Sequence, residues 1–309
     1  MVHPLVSIAL CTYNGEKYLA EQLDSLVGQD YPNLEIIVVD DRSSDSTLIM
    51  LEDYAARYPF IKVFQNEQNL GYIKNFEKAI TLCNGEYIAL ADQDDRWDLK
   101  KISMMVEQLN GHQLIYHDSA FIDQSGKPLH KKMSDLLHMY AGNDFKPFVF
   151  FNCVSGHACL FKKALTAYAL PFPKNLFHDR WLAYVATNVG SIGYIDKCLV
   201  NYRQHESSDT NILKLERKET KKELHGVPKI KKTLDELEVL LNFGHNADPG
   251  FLQKLYRLYA KRLTSFLCPR LMFFLFAHFG SLLYLSKKST LSKLNFVFKH
   301  LWGSKLKGN

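Results

Sequence analysis

Apolar runs and amphipathic segments alternate through the first hundred residues, and three of the four apolar runs end in clusters of polar and acidic side chains. The runs at 6–10, 34–39, 61–65 and 87–91 predict strands. The second, LEIIVV, has no polar–apolar alternation, as expected of a central parallel strand covered on both faces. Between the runs, 16–27 has helical spacing, with Leu19, Leu23, Leu26 and Val27 on one side. Residues 44–56 predict a helix capped by Ser44 or Asp45, and 75–83 a helix stopped at Asn84-Gly85. This alternation predicts an α/β fold with a mostly parallel central sheet. Residues 114–121 and 192–202 predict further strands.

In an open parallel sheet, ligands bind beyond the carboxyl ends of the strands. There the first run ends in Thr12-Tyr13-Asn14-Gly15, the second in Asp40-Asp41-Arg42-Ser43 and the fourth in Asp92-Gln93-Asp94-Asp95. Clustered carboxylates raise one another's pKa unless a cation compensates. Their oxygens suit Mg²⁺ or Mn²⁺, and Mg²⁺ commonly bridges carboxylates to substrate phosphates. The pattern therefore predicts a metal–diphosphate site, with Asp94 as the first choice of metal ligand. Asp40-Asp41 alone reads equally as a helix N-cap cluster. The phosphate loop GxxxxGK[ST] and the dinucleotide fingerprint GxGxxG are both missing.

Composition supports a folded chain. Of 309 residues, 47% are hydrophobic and 23% charged, which excludes a disordered, fibrous or disulfide-stapled chain. Six Cys without a CxxC pair argue against a zinc ribbon. The first ten residues lack a basic stretch followed by a long apolar run, which predicts a cytoplasmic protein.

The net charge of +5 hides a split: residues 249–309 carry eleven Lys and Arg and no Asp or Glu, so they are +11 and the rest −6. Within them, LMFFLFAHFGSLLYLS at 271–286 is flanked by Arg270 and Lys287-Lys288. Its sixteen residues fall short of the roughly 20 that span a bilayer. An interfacial helix at an anionic membrane surface, lysines on lipid phosphates, is the first reading, ahead of nucleic acid. A helix packed on the main domain and a homo-oligomer interface are the alternatives. A boundary near residue 210 divides an α/β domain, 1–210, from a helical, basic and apolar extension, 211–309.

The segments VSIALCTYNGEKYLAEQLDSLVGQDYPNLEIIVVDDRSSDSTLIML, NEQNLGYIKNFEKAI and GEYIALADQDDRWDLKKI, in this order and spacing, resemble the family 2 inverting nucleotide-sugar glycosyltransferases of the GT-A fold. The resemblance runs from about residue 5 to 205. It implies that Thr12 and Asp41 hold the nucleobase, that Asn14 lies near the ribose or diphosphate, and that Asn69, Gly71 and Lys74 line the donor pocket. Asp92, Asp94 and Asp95 resemble the DxD-type motif that holds the divalent ion with the donor's ribose and diphosphate. The pattern here is DxDD, so which acid touches the metal stays open. Inverting transfer needs a general base at the acceptor hydroxyl. The matching motif, FHDRW at 177–181, offers Asp179 as that base and His178 beside the acceptor; the pair also reads as the cap of a helix starting at Arg180. NCVSGHACLFK at 152–162 resembles the acceptor side, placing Ser155, Gly156 and His157 there, with His157 where a small residue or Cys is expected. YRQH at 202–205 resembles bacterial rhamnosyltransferase-like members, with Arg203 toward the diphosphate and His205 toward the metal. The processive signature QxxRW is missing, which argues against a polymerase. The resemblance thus implies transfer of one sugar from a nucleotide-diphosphate sugar to a surface-polysaccharide or polyprenyl-diphosphate-linked acceptor at the inner face of the membrane. The motifs favour dTDP-rhamnose, with UDP-hexoses and UDP-N-acetylhexosamines open. A nucleotidyltransferase and a non-catalytic membrane-bound scaffold are the competing readings.

Overall fold

Both faces of the first strand are buried, and this explains why it is apolar apart from Ser7, whose hydroxyl is hydrogen-bonded, and the terminal Thr12. The computed structural model describes residues 3–205, 213 and 226–306. Its first half alternates β1 (Val6–Thr12), α1 (Glu16–Val27), β2 (Leu34–Asp40), α2 (Thr47–Arg57), β3 (Ile61–Gln65), α3 (Tyr72–Leu82) and β4 (Tyr87–Ala91). Then come β5 (Arg96–Trp97), α4 (Lys101–Gln108), β6 (Leu114–Ile122), β7 (Pro128–Lys132), the one-turn α5 (Met133–Leu136), β8 (Cys159–Lys162) and the short α6 (Thr166–Ala169). The long α7 (His178–Val189) and β9 (Ile192–Arg203) complete the sheet region. Among the described residues five α-helices follow: α8 (Gly226–Leu241), α9 (Pro249–Ala260), α10 (Pro269–Ala277), α11 (Phe279–Leu282) and α12 (Thr290–Lys299).

The strands form one sheet in the order β3-β2-β1-β4-β8-β6-β9-β5, with β7 on the side of β6. Strands β1 to β4 pair in parallel. The expectation of a mostly parallel sheet holds for that half only. β8 runs antiparallel between β4 and β6, and β5 antiparallel to β9, so the sheet is mixed. Antiparallel neighbours need no helical crossover, so these short strands leave no βαβ pattern to read. The result is a mixed α/β architecture consistent with GT-A.

Register fixes the site. Thr12 pairs with Asp40 and Leu10 with Ala91, so the ends of β1, β2 and β4 lie side by side. Alternate residues of β1 and β2 feed two cores. Ile8, Leu10, Ile36 and Val38 meet α1, α2 and α4 on one face. Ala9, Cys11, Ile37 and Val39 share the other core with α3, α7 and the C-terminal helices.

Several boundaries differ from the sequence reading. α2 starts at Thr47 rather than Ser44, because Ser44 N–H is held by Asn14 and the Asp45 carboxylate accepts from Thr47 and Glu16 N–H. α3 starts three residues early, at Tyr72, after Gly71 at φ +78°. Asn75 lies inside it, donating to the Val39 carbonyl at 2.9 Å. The apolar 271–286 segment is not one helix: it breaks at His278 into α10 and α11. Leu271, Phe274, Leu275 and Leu282 pack into the same core as α7, α8 and α9. Among the described residues, no helix is long and apolar enough to cross a membrane. The boundary near 210 lies outside the described residues.

At the opposite edge of the sheet, buried Glu35 ties four segments together. It accepts from Ser7 Oγ on β1 (2.6 Å), Lys62 Nζ on β3 (3.0 Å) and Asn84 N–H before β4 (2.6 Å). Burial alone would push its carboxyl up, but these bonds outweigh it and hold it down at about 2. A depressed carboxyl contributes stability above its ordinary pKa and loses it as the pH falls toward the folded value. Glu35→Gln is therefore expected to cost about 2 kcal/mol at neutral pH, the scale of charge-assisted hydrogen bonds, and progressively less below about pH 4. Urea titrations of both proteins at neutral and acid pH check this; an equal loss at both contradicts it.

Candidate active site

The carboxyl ends of β1, β2 and β4 gather acids whose charge is met group by group. The buried Asp41 carboxylate accepts from Asn66 Nδ2 (2.7 Å) and from the N–H groups of Leu70 (2.7 Å) and Gly71 (2.8 Å). Asn69 donates to the Asp41 carbonyl at 3.2 Å. Asp41 thereby shapes the 66–71 loop. The left-handed φ of Gly71 is open to glycine at little cost. Asp40 accepts from Thr12 Oγ1 (3.0 Å), Ser43 N–H (3.0 Å) and Gln65 (3.2 Å). Asn14, at φ +48°, accepts from Ser44 N–H at 2.8 Å and so ties the β1 end to the β2 end. Lys74, on α3, pairs with Glu77 at 2.6 Å and is half exposed.

The acids after β4 divide between two histidines. Asp94 Oδ2 lies 2.7 Å from His205 Nε2. Asp92 and Asp95 face His157 Nδ1 at 3.6 and 3.4 Å, while its Nε2 meets Ser119 Oγ at 3.0 Å. Asp95 is fully buried, and its Oδ2 has no hydrogen-bond partner. Burial, followed by the neighbouring Asp94 and Asp92, raises its carboxyl to about 8 against the pull of His157. Burial disfavours the His157 cation too, but Asp95 and Asp92 outweigh it and raise its pKa. Asp92, partly exposed, is held down by His157 despite burial of its carboxyl. One donor atom each from Asp92, Asp95 and His157 lies within 4.8 Å of the other two. Such a set, with an orphaned buried oxygen, fits a divalent cation.

The other wall comes from α7. Asp179 lies in the helix's first turn rather than at its cap, which is Phe177. Burial, with the charge of Asp92 added, raises its pKa above the ordinary carboxylate value, although His178 and the Arg180 N–H oppose this. His178 is buried against Phe76, with ring centroids 4.5 Å apart, and neither ring nitrogen has a hydrogen-bond partner. Burial lowers its pKa, against the pull of Asp179 and Asp92, and so favours the neutral ring. A Cβ built on Gly156 would stand 2.9 Å from His178 Nε2, so a larger residue there would require the imidazole to shift. Ser155, Gly156 and His157 therefore run between the acid edge and the start of α7.

Arg203 is placed differently from the expectation of a diphosphate ligand. It is 1% exposed. Its Nε donates to the Asp94 carbonyl at 2.8 Å, its Nη1 to the carbonyls of Asp123 and Gln124, and its Nη2 to Glu21. Its backbone N–H donates to Asp95 at 3.0 Å. With four of its five side-chain N–H groups directed at protein acceptors, it holds the acid loop rather than presenting an open guanidinium. Three further residues escape sequence reasoning. Gln93 brackets the Tyr13 backbone at 2.8 and 3.0 Å, and a Cβ on Gly15 would collide with it at 2.2 Å. Glu21 receives Arg203 from α1. Lys101 is fully buried, donates to the His157 carbonyl at 2.5 Å and has its pKa lowered by burial. Gln93 stands in the acid motif itself; Lys101 sits in a charged DLKK run that reads as a solvated face.

Comparison with known proteins follows this geometry. The model of the family described as Glycosyl transferase family 2 matches residues 7–168, more than half of the chain. An uncharacterized glycosyltransferase of Haemophilus influenzae is 29% identical over 238 residues, covering 72% of each chain. Mycobacterial relatives are 28% identical, and the match covers 59% of their length. Among solved structures, S. aureus TarS 1–349 in complex with UDP-GlcNAc gives a TM-score of 0.59 at 19% identity, covering 90% of this chain and 81% of that one. Mannosyltransferase PcManGT from Pyrobaculum calidifontis in complex with GDP-Man and Mn²⁺ gives 0.54 at 15%, covering 97% and 80%.

The burial of Arg203 yields a test. Arg203→Met is expected to cost about 2–4 kcal/mol of stability through lost charge-assisted hydrogen bonds, read by thermal denaturation of the ligand-free protein. Unchanged stability with lost nucleotide binding would instead return Arg203 to the ligand.

Proposed function

The chain belongs to glycosyl transferase family 2, and from that premise we propose that it transfers one sugar, with inversion, from a nucleotide-diphosphate sugar to an acceptor hydroxyl. One observation carries the reading. Gly156 abuts His178 while the next residue, His157, faces Asp92 and Asp95. Two groups of opposite function, an acid edge for an anionic donor and the start of α7 with its buried carboxylate for a nucleophile, are thus joined through two consecutive residues, Gly156 and His157.

In this reading the donor lies across the strand ends. Thr12 and the Asp41-supported loop with Asn69 and Gly71 form the nucleobase side, Asn14 the ribose side, and Lys74 approaches the donor from α3. Asp92 and Asp95 with His157, and Asp94 with His205, are the groups that would hold Mg²⁺ or Mn²⁺. A divalent ion there supplies charge to the departing diphosphate. Asp179 accepts the proton of the acceptor hydroxyl as that oxygen forms its bond to the anomeric carbon and the carbon–diphosphate bond breaks. Neutral His178, its ring nitrogens unspent, orients the acceptor with Ser155 and Gly156. Arg203 acts as a positioning residue for the Asp94–Asp95 loop.

The donor's identity has two candidates. YRQH and the His178-Asp179 pair favour dTDP-rhamnose; the likeness to TarS, whose structure holds UDP-GlcNAc, supports a UDP-N-acetylhexosamine. The acceptor is proposed to be a surface-polysaccharide precursor carried on polyprenyl diphosphate.

The test is Asp179→Asn. General-base removal is expected to lower transfer by about 10²- to 10⁴-fold while donor binding persists, measured as nucleoside-diphosphate release with lipid-linked acceptors. Because the raised Asp179 pKa must be exceeded for the base to be ionised, wild-type kcat/KM should rise with pH through a limb above the ordinary carboxylate range, near 4. The variant should lack that limb. Turnover like that of the wild type would remove Asp179 as the base.

A further inference from the structure

The outward faces of α10 and α12 reverse the usual pattern of a surface helix. On α10, Leu271, Phe274 and Leu275 point into the core, yet Phe273 is 65% exposed and Phe276 58%. Their i, i+3 spacing puts them on one side of the helix. On α12, Val297 is buried while Leu291 and Phe298 are exposed. Trp302 just beyond it is exposed and bridges Leu267, whose neighbour Phe266 is 59% exposed. The Gly303 N–H donates to the Phe266 carbonyl at 2.9 Å, so the turns before α10 and after α12 are locked together. Large apolar side chains thus stand in solvent on adjoining elements, where soluble monomers rarely gather them.

Charge selects the occupant. Residues 249–309 contain no Asp or Glu; Arg270, three residues before Phe273, Lys299, next to Phe298, and Lys305, over the Phe266 ring, are exposed. A second copy would bring like against like, since a two-fold interface joins the same patch to itself. An anionic bilayer surface offers apolar depth for Phe and Trp and phosphates for Lys and Arg. We infer that the outward face of α10, α12 and their joined turns is an interfacial docking surface for an anionic phospholipid leaflet, entered by Phe273, Phe276, Phe298 and Trp302 without crossing it. The earlier expectation of a whole apolar helix laid in the interface is thereby narrowed: one side of 271–286 belongs to the protein core and the other faces lipid. This inference does not depend on the proposed chemistry.

Tryptophan fluorescence reads it directly. Of the three Trp, Trp97 and Trp181 are 2% and 6% exposed, while Trp302 is 45% exposed, so Trp302 reports the face. The full chain is titrated with phosphatidylcholine vesicles, with and without phosphatidylglycerol, and bound protein is sedimented. The expected result is a blue shift and co-sedimentation with anionic vesicles, weakened by salt. Because both rings lose their apolar burial in the leaflet, Phe273→Ser with Phe276→Ser should reduce partitioning at least about tenfold. Nucleotide binding by that variant checks that it is folded, and the wild-type salt dependence stands as a second test. No binding to anionic vesicles by the wild type overturns the inference. So does a blue shift that follows protein concentration without vesicles, which would mark a self-interface. A shift produced by nucleic acid but not by anionic vesicles overturns it as well.

Discussion

Five carboxylates gathered at the carboxyl ends of β2 and β4 are costly, and most of the local structure answers that cost. Asp41 takes three N–H donors, which in turn shape the loop leading to α3. Asp40 takes Thr12, Ser43 and Gln65. Asp94 takes His205, and Asp92 and Asp95 share His157. Two of the turns involved require something unusual of the chain, a positive φ at Asn14 and at Gly71. Arg203, from the far end of β9, clamps the acid loop by its backbone and side chain together. The remaining mismatch, a buried Asp95 oxygen without a partner, is where an added cation relieves the most repulsion.

The second wall of the site depends on the C-terminal helices. Arg180, next to Asp179, donates to the Phe148 carbonyl at 2.9 Å, to the Val149 carbonyl and to Glu236 on α8 at 2.9 Å. Trp181 packs on Phe243 just beyond α8, with ring centroids 5.4 Å apart. The start of α7 is therefore held between the body and the helices that follow the sheet. Those helices contribute one face to this core and leave the other, on α10 and α12, aromatic and basic.

Much of this was legible before any coordinates. Strands β3 and β4 and helix α1 have the limits that the runs at 61–65, 87–91 and 16–27 predict, because β4 lies inside the sheet and is buried over four of its five residues, and α1 keeps one apolar side toward the core. The polar cluster after β1 and the acids after β2 and β4 follow from the same reading. The rest depended on distant partners. β8 has four residues and β5 two, too few for any periodicity. Ser44 lost its cap role to Asn14, thirty residues upstream. His157 stood out only as a departure from a motif; its neighbours Asp92 and Asp95 lie more than sixty residues away in the chain. Arg203 read as a free cation because its acceptors are mostly backbone carbonyls, which sequence patterns do not display. The 271–286 run carried a net apolar signal without saying which side would be covered.

The most direct test of the central claim, that the acid edge holds a metal-bound nucleoside diphosphate, is a thermal-shift panel of UDP, dTDP, GDP and CMP, each with Mn²⁺ and with EDTA. Selective binding to the native state raises the melting temperature by mass action. A shift with one diphosphate, present with Mn²⁺ and abolished by EDTA, is the predicted result, UDP or dTDP naming the donor. No shift with any nucleotide in the presence of metal would contradict the account.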